Sequence, residues 1–535
     1  MKKGKAIQTP RISGENANAG GLSGPRRKLF IFLFFLILLS SVALKIYKAD
    51  RAGISYDESL TFQRYCDSVH TALTSFDPAD ASSTNNHLLN SIFIHYAHKY
   101  LNFYEHFIRI PSLSAGIMFS LALAYIIYKT IQSPAVRLAS LALVSLVPFV
   151  FDYSYLARGY AFGLAGIYTE IAFVLWLLEH RIRQRWWPIP VVVISLMNFL
   201  AFGSMMSSML MLVAFNLTFI LLYSPRIFRD TSNKLKPIIL NLVSISVITS
   251  TSVFFLYRGI YKNILGGRAI TKINKGWKGW PSFLDYLHNL LVGKVFGPSD
   301  SIGMVILYAV VLLLVVAIAF HIYKFRKAIK AGLWREYLKL YGPANFILIF
   351  TGLTIMILFV YSVILNRSPG LPRRPRSQVF LIPLALTAGA IILDRFIYAL
   401  REKKIGRVLS ATVIIALILV TLRNLPSPYR MGGSTLSGPV LRKLKAIDPD
   451  KTWNIAFSEK MRLFYMGFLY YQQFDYKFNI VRGGKYDVLI CRKSERPARA
   501  VCLNWIPFSD SNCNVIINCQ LPADRVVLEA RLIKD

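Results

Sequence analysis

Two adjacent carboxylates, Asp57 and Glu58, are the first residues whose types and spacing suggest chemistry. They follow Ile54-Ser55-Tyr56, shortly after a long apolar run ends. Carboxylates beside a membrane surface can act as a general base, hold a metal ion, or simply lie in a solvated turn. These residues alone leave all three interpretations open.

A second group of candidates lies where two apolar segments meet, in the stretch that contains Asp152, Arg158 and Tyr160. Ionisable groups so close to hydrocarbon are costly unless they pair or face a water-filled cavity, so we treat them as candidate site residues. A structural ion pair between Asp152 and Arg158 would explain the same residues. His87, before an amphipathic stretch, is either an ordinary interfacial residue or a substrate contact.

Two further segments carry an excess of positive charge. Segment 257–301 has seven basic residues against two acidic ones, and segment 366–377 has four arginines and no acid. Arginine binds phosphate through a bidentate fork, so an anionic ligand is one explanation, and anionic lipid headgroups are the other. The basic candidates are Lys262, Arg268, Lys272, Lys275, Arg373, Arg374 and Arg376.

Long apolar segments must position all of these residues. Of 535 residues, 54% are apolar and only 17% are charged, against about 25% charged in an ordinary soluble domain. A spanning helix needs about 20 mostly apolar residues. The segments that qualify lie near 29–47, 109–128, 135–151, 156–178, 187–203, 205–223, 237–256, 302–323, 344–365, 378–398 and 406–422. The sequence therefore predicts a polytopic α-helical membrane protein with about eleven transmembrane helices.

The distribution of Lys and Arg predicts the orientation. If the basic tail 1–28 is cytoplasmic, alternation of the spans keeps most basic connections on that side and places the loops 48–108, 257–301 and 366–377 outside. We thus expect an inner-membrane protein with a transmembrane domain at 29–422 and an extracytoplasmic unit at 423–535. Much of the net charge of +36 then reflects topology, which argues against a nucleic-acid partner.

The segment after residue 423 has a different pattern. A linker rich in Pro and Gly is followed by a helical run near 459–472 and then by β-rich runs at 486–490 and 514–517. This predicts a small α/β domain. Its cysteines are even in number, so disulfides with three possible connectivities are expected, whereas zinc is disfavoured because no Cys-x-x-Cys pair occurs. They are Cys491, Cys502, Cys513 and Cys519, and Cys66 in the first outer loop is left over.

The order of these features resembles the GT-C glycosyltransferases. An outer Asp-Glu pair is followed by a His-containing segment, by Arg109-Ile110-Pro111 at the start of the second span, and by Ala157-Arg158-Gly159-Tyr160. The branch that these residues resemble most is the protein O-mannosyltransferase-like and lipid A aminoarabinose transferase-like one. Arg376-Ser377-Gln378, at the start of a late span, also looks like that branch. The resemblance covers residues 29–400.

The resemblance implies a GT-C-like fold and an inverting transfer of a sugar outside the cytoplasm. The donor would be a polyprenyl-phosphate-linked sugar, and the acceptor a hydroxyl on a lipid, a glycan or a protein. Asp57 would then be the general base, and Glu58 would orient the acceptor or bind a divalent metal ion if one is used. Arg158 and the basic candidates named above would hold the donor phosphate, and His87, Tyr160 and Asp152 would support the acceptor.

Two other functions fit parts of the sequence. An O-antigen-ligase-type transferase also uses polyprenyl-linked sugar, but the early Asp-Glu pair argues against it. A transporter or flippase for a lipid-linked sugar would also need many spans and outer arginines. Such proteins often contain inverted repeats, and we find no internal repeat here.

Overall fold

The computed structural model describes most of the first 222 residues and parts of the remainder. The described residues are 24–74, 87–101, 104–180, 188–222, 249, 280–290, 323, 326, 342–364, 379–400, 437–457, 465–481, 488–492 and 515–518.

The first helix shows how the sequence starts and ends a span. Gly24 has a φ of 56°, a left-handed conformation that favours glycine, and Pro25 takes the first helical position. The helix runs through the apolar segment and ends where Ala52 adopts an extended conformation. Its last turn holds the basic residues Lys48 and Arg51, which complement the negative end of the helix dipole.

The N-terminal half is helical throughout its described residues. Its α-helices are α1 Pro25–Arg51, α2 Tyr56–Tyr65, α3 Val69–Thr74, α4 Leu88–Leu101, α5 Ile110–Thr130, α6 Pro134–Leu146, α7 Pro148–Tyr153, α8 Tyr160–Glu179, α9 Pro188–Ser204 and α10 Met209–Leu222. Short 3-10 turns at Phe107–Arg109 and Met206–Ser208 precede α5 and α10. Further helices are Trp280–His288, Gly342–Phe359, continued by a π-helical turn at Val360–Ile364, and Leu381–Leu400.

The prediction of a polytopic helical membrane protein is confirmed. Among the described residues, five helices are long and apolar enough to cross a membrane: Pro25–Arg51, Phe107–Thr130, Tyr160–Leu177, Gly342–Ile364 and Leu381–Tyr398. Shorter apolar helices occupy the other predicted spans of the N-terminal half. The predicted spans 237–256, 302–323 and 406–422 lie almost entirely outside the described residues.

The helices form a bundle in which α5 packs along α8, and α8 packs along α9. Two ends of this bundle can be distinguished by their polar contacts. At the far end, Asp394 accepts the backbone N–H groups of Gln132 and Ser133 at 2.7 and 2.9 Å, and Lys129 lies 2.6 Å from Glu179. The opposite end, which we call the site end, is formed by residues 49–58, 104–112, 152–160 and 204–208.

One polar network lies within the bundle. The Asn198 amide on α9 donates a hydrogen bond to Glu170 Oε1 on α8 at 2.9 Å, and the Asn216 amide on α10 donates to Asn198 Oδ1 at 3.2 Å. Polar side chains buried between spans favour one helix arrangement, because each needs a partner within hydrocarbon. This network therefore holds three consecutive helices in register.

The C-terminal unit contains the expected mixture of strands and helices. Its strands are β1 Trp453–Phe457, β2 Phe478–Val481, β3 Val488–Arg492 and β4 Val515–Asn518, and its helices are Ser437–Ile447 and Tyr465–Tyr471. The strand order is β2-β1-β3-β4, with β1 parallel to β2 and to β3, and β4 antiparallel to β3. Cys502, Cys513 and Cys519 of the unit lie outside the described residues, so the disulfide prediction stays a prediction.

Candidate active site

The first turn of α2 carries both acidic candidates and is fixed by its own cap. The Ser55 hydroxyl accepts the Glu58 backbone N–H at 3.3 Å, and Glu58 Oε2 accepts the Ser55 N–H at 2.8 Å. This reciprocal capping box satisfies two backbone donors that the start of a helix leaves open. The cap therefore fixes Asp57 and Glu58 in the first turn of α2.

Glu58 forms a fully buried ion pair with Arg109. The guanidinium donates from Nε to Glu58 Oε1 and from Nη2 to Oε2, both at 2.7 Å, and the two side chains are 0% and 1% exposed. Glu58 Oε1 also accepts the Ala157 N–H at 2.8 Å. With the Ser55 N–H, these contacts use all four lone-pair directions of the carboxylate.

Arg109 is equally saturated. Besides its two bonds to Glu58, it donates to the carbonyl oxygens of Ala49, Ala52 and Gly53 at 3.0, 2.6 and 2.7 Å. All five guanidinium N–H groups thus have acceptors. The pair joins the end of α1, the start of α2 and the start of α5 at one point.

These contacts determine what Glu58 can do. Burial alone raises the pKa of its carboxyl, but the charge and hydrogen bonds of Arg109 and the two backbone donors outweigh burial and hold the pKa below its ordinary value. A carboxylate with no free lone pair does not fit the metal-ligand role, which was one of the two alternatives that the resemblance implied for Glu58. Among the described residues, no group of three or more His, Cys, Asp or Glu side chains is arranged to hold a metal ion.

Asp57 has a different environment from its neighbour. Its Oδ2 lies 2.7 Å from Nη1 of Arg158, and its side chain is 21% exposed whereas that of Arg158 is 2% exposed. Asp57 is therefore a carboxylate that is fixed by a buried arginine yet remains accessible. This combination suits a group that accepts a proton from a bound molecule.

The position of Arg158 differs from one of the interpretations that the sequence allowed, the structural pair with Asp152. Arg158 pairs with Asp57, and the structural pair with Asp152 that we considered is replaced by a hydrogen bond from the Tyr155 hydroxyl to Asp152 Oδ1 at 3.0 Å. The Arg158 side chain is buried against Asp57, a position from which it can orient that carboxylate, and its contact with a donor phosphate stays a prediction.

The segment that carries Arg158 lies against α4 and α5. The Asn90 amide donates to the Ala157 carbonyl oxygen at 3.1 Å, and the Ser112 hydroxyl donates to Asn90 Oδ1 at 3.0 Å. Gly116 permits the close approach, because a Cβ there would fall on the Ser154 carbonyl oxygen. These contacts place Arg158 opposite the first turn of α2.

His87 and Tyr160 form an aromatic wall beside this pair. The Tyr160 ring centroid lies 5.7 Å from the Arg158 guanidinium carbon and 5.2 Å from the His87 ring. His87 Nδ1 is 3.1 Å from the Ser204 carbonyl oxygen, which fixes the ring against the end of α9. The structure thus brings both expected support residues to the Asp57–Arg158 pair.

Asp152 lies behind Arg109 on the same side of the bundle. The carboxyl is fully buried, and burial raises its pKa to about 7, opposed by the hydrogen bond from Tyr155 and by the charges of Lys48 and Arg109. Its partner Tyr155 has its ring 5.9 Å from the Arg109 guanidinium. Asp152 therefore belongs to the surroundings of the Glu58–Arg109 pair.

The remaining candidates cannot be placed. Lys262, Arg268, Lys272, Lys275, Arg373, Arg374 and Arg376 all lie outside the described residues. The three arginines precede a helix that begins at Leu381, and the Phe380 carbonyl oxygen before it accepts the Tyr168 hydroxyl of α8 at 2.8 Å.

Sequence reasoning assigned no role to Arg109, although the residue was part of the family pattern. The sequence nevertheless indicated that Arg109 needs a buried partner. An arginine at the entrance of an apolar span must find a carboxylate or carbonyl partners, and Glu58 was the nearby acid without an assigned partner.

Fold and site together define a polytopic helical membrane protein with two arginine-bound carboxylates at one end of its bundle. Its fold is similar to that of the Archaeoglobus fulgidus oligosaccharyltransferase in complex with Zn and sulfate, at 12% identity and a TM-score of 0.43 over 81% of this chain and 61% of that chain. It is also similar to the oligosaccharyltransferase AglB of the same organism with an inhibitory peptide and a dolichol-phosphate, at 11% identity and a TM-score of 0.44 over 85% and 65% of the two chains.

A third similar structure is ArnT from Cupriavidus metallidurans bound to undecaprenyl phosphate, at 13% identity and a TM-score of 0.39 over 84% of this chain and 75% of that chain. The chain spans 61% to 65% of the length of the two archaeal structures. No family model and no curated protein match the chain.

Proposed function

We propose that this protein is an integral membrane glycosyltransferase that moves a sugar from a polyprenyl-phosphate donor to an acceptor hydroxyl, with inversion at the anomeric carbon. The observation that carries the proposal is the pair at the site end, in which the accessible carboxylate of Asp57 is bound by the buried guanidinium of Arg158 at 2.7 Å. The order of motifs in the sequence supports the same class.

The proposed reaction divides its work between the two adjacent acids. Asp57 accepts the proton of the acceptor hydroxyl as the hydroxyl oxygen bonds to the anomeric carbon. The bond from that carbon to the phosphate oxygen breaks, and the lipid phosphate leaves with the electron pair. Glu58, whose lone pairs are all occupied, holds the first turn of α2 and so positions Asp57.

Arg158 orients the base and adds positive charge beside it. Its guanidinium fixes the Asp57 carboxylate, and its own position is fixed by the packing of the segment that follows α7. In a site that excludes water, a preorganised cation stabilises developing negative charge by a few kcal/mol. The contact to the departing phosphate itself we assign to Arg373, Arg374 and Arg376, with a subset of Lys262, Arg268, Lys272 and Lys275.

The bundle would supply the rest of the donor site. A polyprenyl chain is long and apolar, so it would lie along a groove between helices with its phosphate at the site end. Transfer would then take place on the outer face of the inner membrane, with the N-terminus in the cytoplasm. In this assignment the C-terminal unit lies outside, on the same side as Asp57. The unit forms hydrogen bonds to the backbone of Ile54, which lies shortly before Asp57 in the chain.

Purified protein supplied with labelled polyprenyl-phosphate sugars and a membrane-glycan extract tests the proposal. We expect label to move into the extract with release of polyprenyl phosphate. Donor consumption that gives no glycosylated product would overturn the proposal. Transfer from a pyrophosphate-linked glycan alone would instead indicate a ligase-type enzyme, and movement of intact donor across vesicles would indicate a transporter.

A further inference from the structure

The segment between α1 and α2 is held by side chains from two directions. From the bundle, Arg109 binds the carbonyl oxygens of Ala52 and Gly53. From the C-terminal unit, the Tyr471 hydroxyl accepts the Ile54 N–H at 3.1 Å, and the Ser437 hydroxyl donates to the Ile54 carbonyl oxygen at 3.1 Å. The peptide groups on both sides of Ile54 are therefore bound by residues that are 417 and 383 positions away in the chain.

Ile54 immediately precedes the residue that caps α2. Its side chain is 0% exposed and lies in an apolar cluster with Leu441, Phe468 and Tyr471 of the C-terminal unit. The approach is close, since a Cβ on Gly467 would lie 2.9 Å from the Ile54 carbonyl oxygen. A displacement of the helix Tyr465–Tyr471 would thus move Ile54, and with it the first turn of α2.

A second anchor lies on the segment that leads to Arg109. Glu105 Oε1 accepts a hydrogen bond from Arg442 Nη1 at 3.1 Å, and the Glu105 carbonyl oxygen accepts the Tyr470 hydroxyl at 2.6 Å. Arg442 also donates to the carbonyl oxygen of Arg51, at the end of α1, at 3.3 Å. The C-terminal unit therefore contacts the chain next to both partners of the Glu58–Arg109 pair.

We propose that the C-terminal unit is a positioning element of the Asp57 site, acting through Tyr471 and Ser437 on Ile54. This inference rests on the proposed function for its catalytic consequence. The unit could instead recognise the acceptor, but its contacts with the backbone of Ile54 favour positioning. Reacting groups that are displaced by about 1 Å can lose about a hundredfold in rate, so the two hydroxyls affect turnover without touching substrate.

The test uses the full-length protein and the variants Tyr471→Phe, Ser437→Ala and their combination. Each single substitution removes one hydroxyl group and retains the packing of the remaining side chain. The matched control is Asn479→Ala, which removes a side-chain hydrogen bond to Asn454 on the sheet of the same unit, away from Ile54. Thermal unfolding shows whether each variant is folded.

Two readouts are measured on each variant. Hydrogen–deuterium exchange reports on residues 52–60 without any need for substrate. We expect about tenfold faster exchange there in the double variant. Exchange at the far end of the bundle, around Gln132 and Ser133, should be unchanged. Steady-state kinetics should show kcat reduced about tenfold or more with KM values for donor and acceptor within twofold of the parent protein. The control should change neither readout.

The two readouts separate the inference from the proposed function. Unchanged exchange at residues 52–60 overturns the positioning role, whatever the kinetics show. A rise in acceptor KM with unchanged kcat also overturns it, since that result indicates acceptor recognition. If the parent protein transfers no sugar, the proposed function fails, while the exchange measurement still decides whether the unit positions the start of α2.

Discussion

The Arg158 guanidinium lies 2.7 Å from the carboxylate of Asp57, and it is this ion pair that remains partly accessible at the site end. The adjacent Glu58 is bound by another arginine, Arg109, and is entirely buried. Two neighbouring acids of the same charge thus have separate environments. Different environments of this kind allow two carboxylates to have different roles in one site.

Replacing Arg158 should impair turnover more than it impairs folding. In Arg158→Met the carboxylate of Asp57 loses its partner, and we expect kcat to fall about a hundredfold. Arg158→Lys keeps the charge but loses the planar fork, so an intermediate kcat is expected. The control is Lys129→Met, which removes a paired cation at the far end. Equal kcat values for the Met variant and the parent would contradict the assigned role of Arg158.

The Glu58–Arg109 pair should matter for stability. Glu58→Gln or Arg109→Met leaves one buried charge without its partner, and either change should cost about 3–5 kcal/mol of unfolding free energy. The double replacement Glu58→Met with Arg109→Met should be less damaging than the sum of the single changes, because no buried charge remains. Thermal and chemical unfolding in detergent measure these differences. Single variants within 1 kcal/mol of the parent in that comparison would contradict the buried ion pair.

The same pair predicts a loss of stability in acid. The folded-state pKa of Glu58 is below the ordinary value of 4.5, so its contribution is complete above that value and is lost as the pH falls towards the folded-state pKa. In Glu58→Gln this part of the acid dependence should be absent. Parallel unfolding curves for the two proteins across that range would contradict the assignment.

Asp152 predicts a pH dependence of opposite sign. Burial raises its pKa from 3.8 to about 7, so the stability that its protonated form provides is complete below 3.8 and is lost as the pH rises through about 7. Asp152→Asn keeps an acceptor for the Tyr155 hydroxyl and should be more stable than the parent at pH 8 by roughly 4 kcal/mol. The control Asp450→Asn removes an exposed acid beside Lys477. A stability difference that does not vary with pH would contradict this interpretation.

The basic segment before Leu381 should act on the donor. Replacing Arg374 or Arg376 by Ala should raise the KM for the polyprenyl-phosphate sugar about tenfold, because each loses a charged contact to phosphate. The matched control is Arg401→Ala, which lies on the predicted cytoplasmic side. Donor kinetics that match those of the parent would remove the two arginines from the site.

The spans and the acidic pair could be predicted from sequence because each has a local signal. Apolar length identified α1, α5 and α8, and the position of Asp57 and Glu58 after the first span, together with the family resemblance, made them candidate site residues. Strands β3 and β4 were also predicted, whereas β1 and β2 were missed because their apolar runs are short. A local sequence pattern indicates the type of segment in which a residue lies and whether that residue is buried.

The pairing of charges could not be predicted in the same way. Arg158 has Asp152 six residues before it in the sequence, but the fold brings Asp57 of α2 to it. The contacts of Ile54 with Tyr471 and Ser437 join residues that are 417 and 383 positions apart. Which acid meets which arginine depends on helix packing, and a single sequence carries little information about it.

In the proposed reaction Asp57 accepts the proton of the acceptor hydroxyl. The most direct measurement compares sugar transfer by the parent protein, Asp57→Asn and the control Asp450→Asn in one assay with labelled polyprenyl-phosphate sugar and acceptor extract, after unfolding curves have shown all three to be folded. We expect transfer to fall by about a thousandfold or more in Asp57→Asn, while donor binding and the control are unchanged. An Asp57→Asn protein that transfers sugar at the parent rate would contradict this role of Asp57.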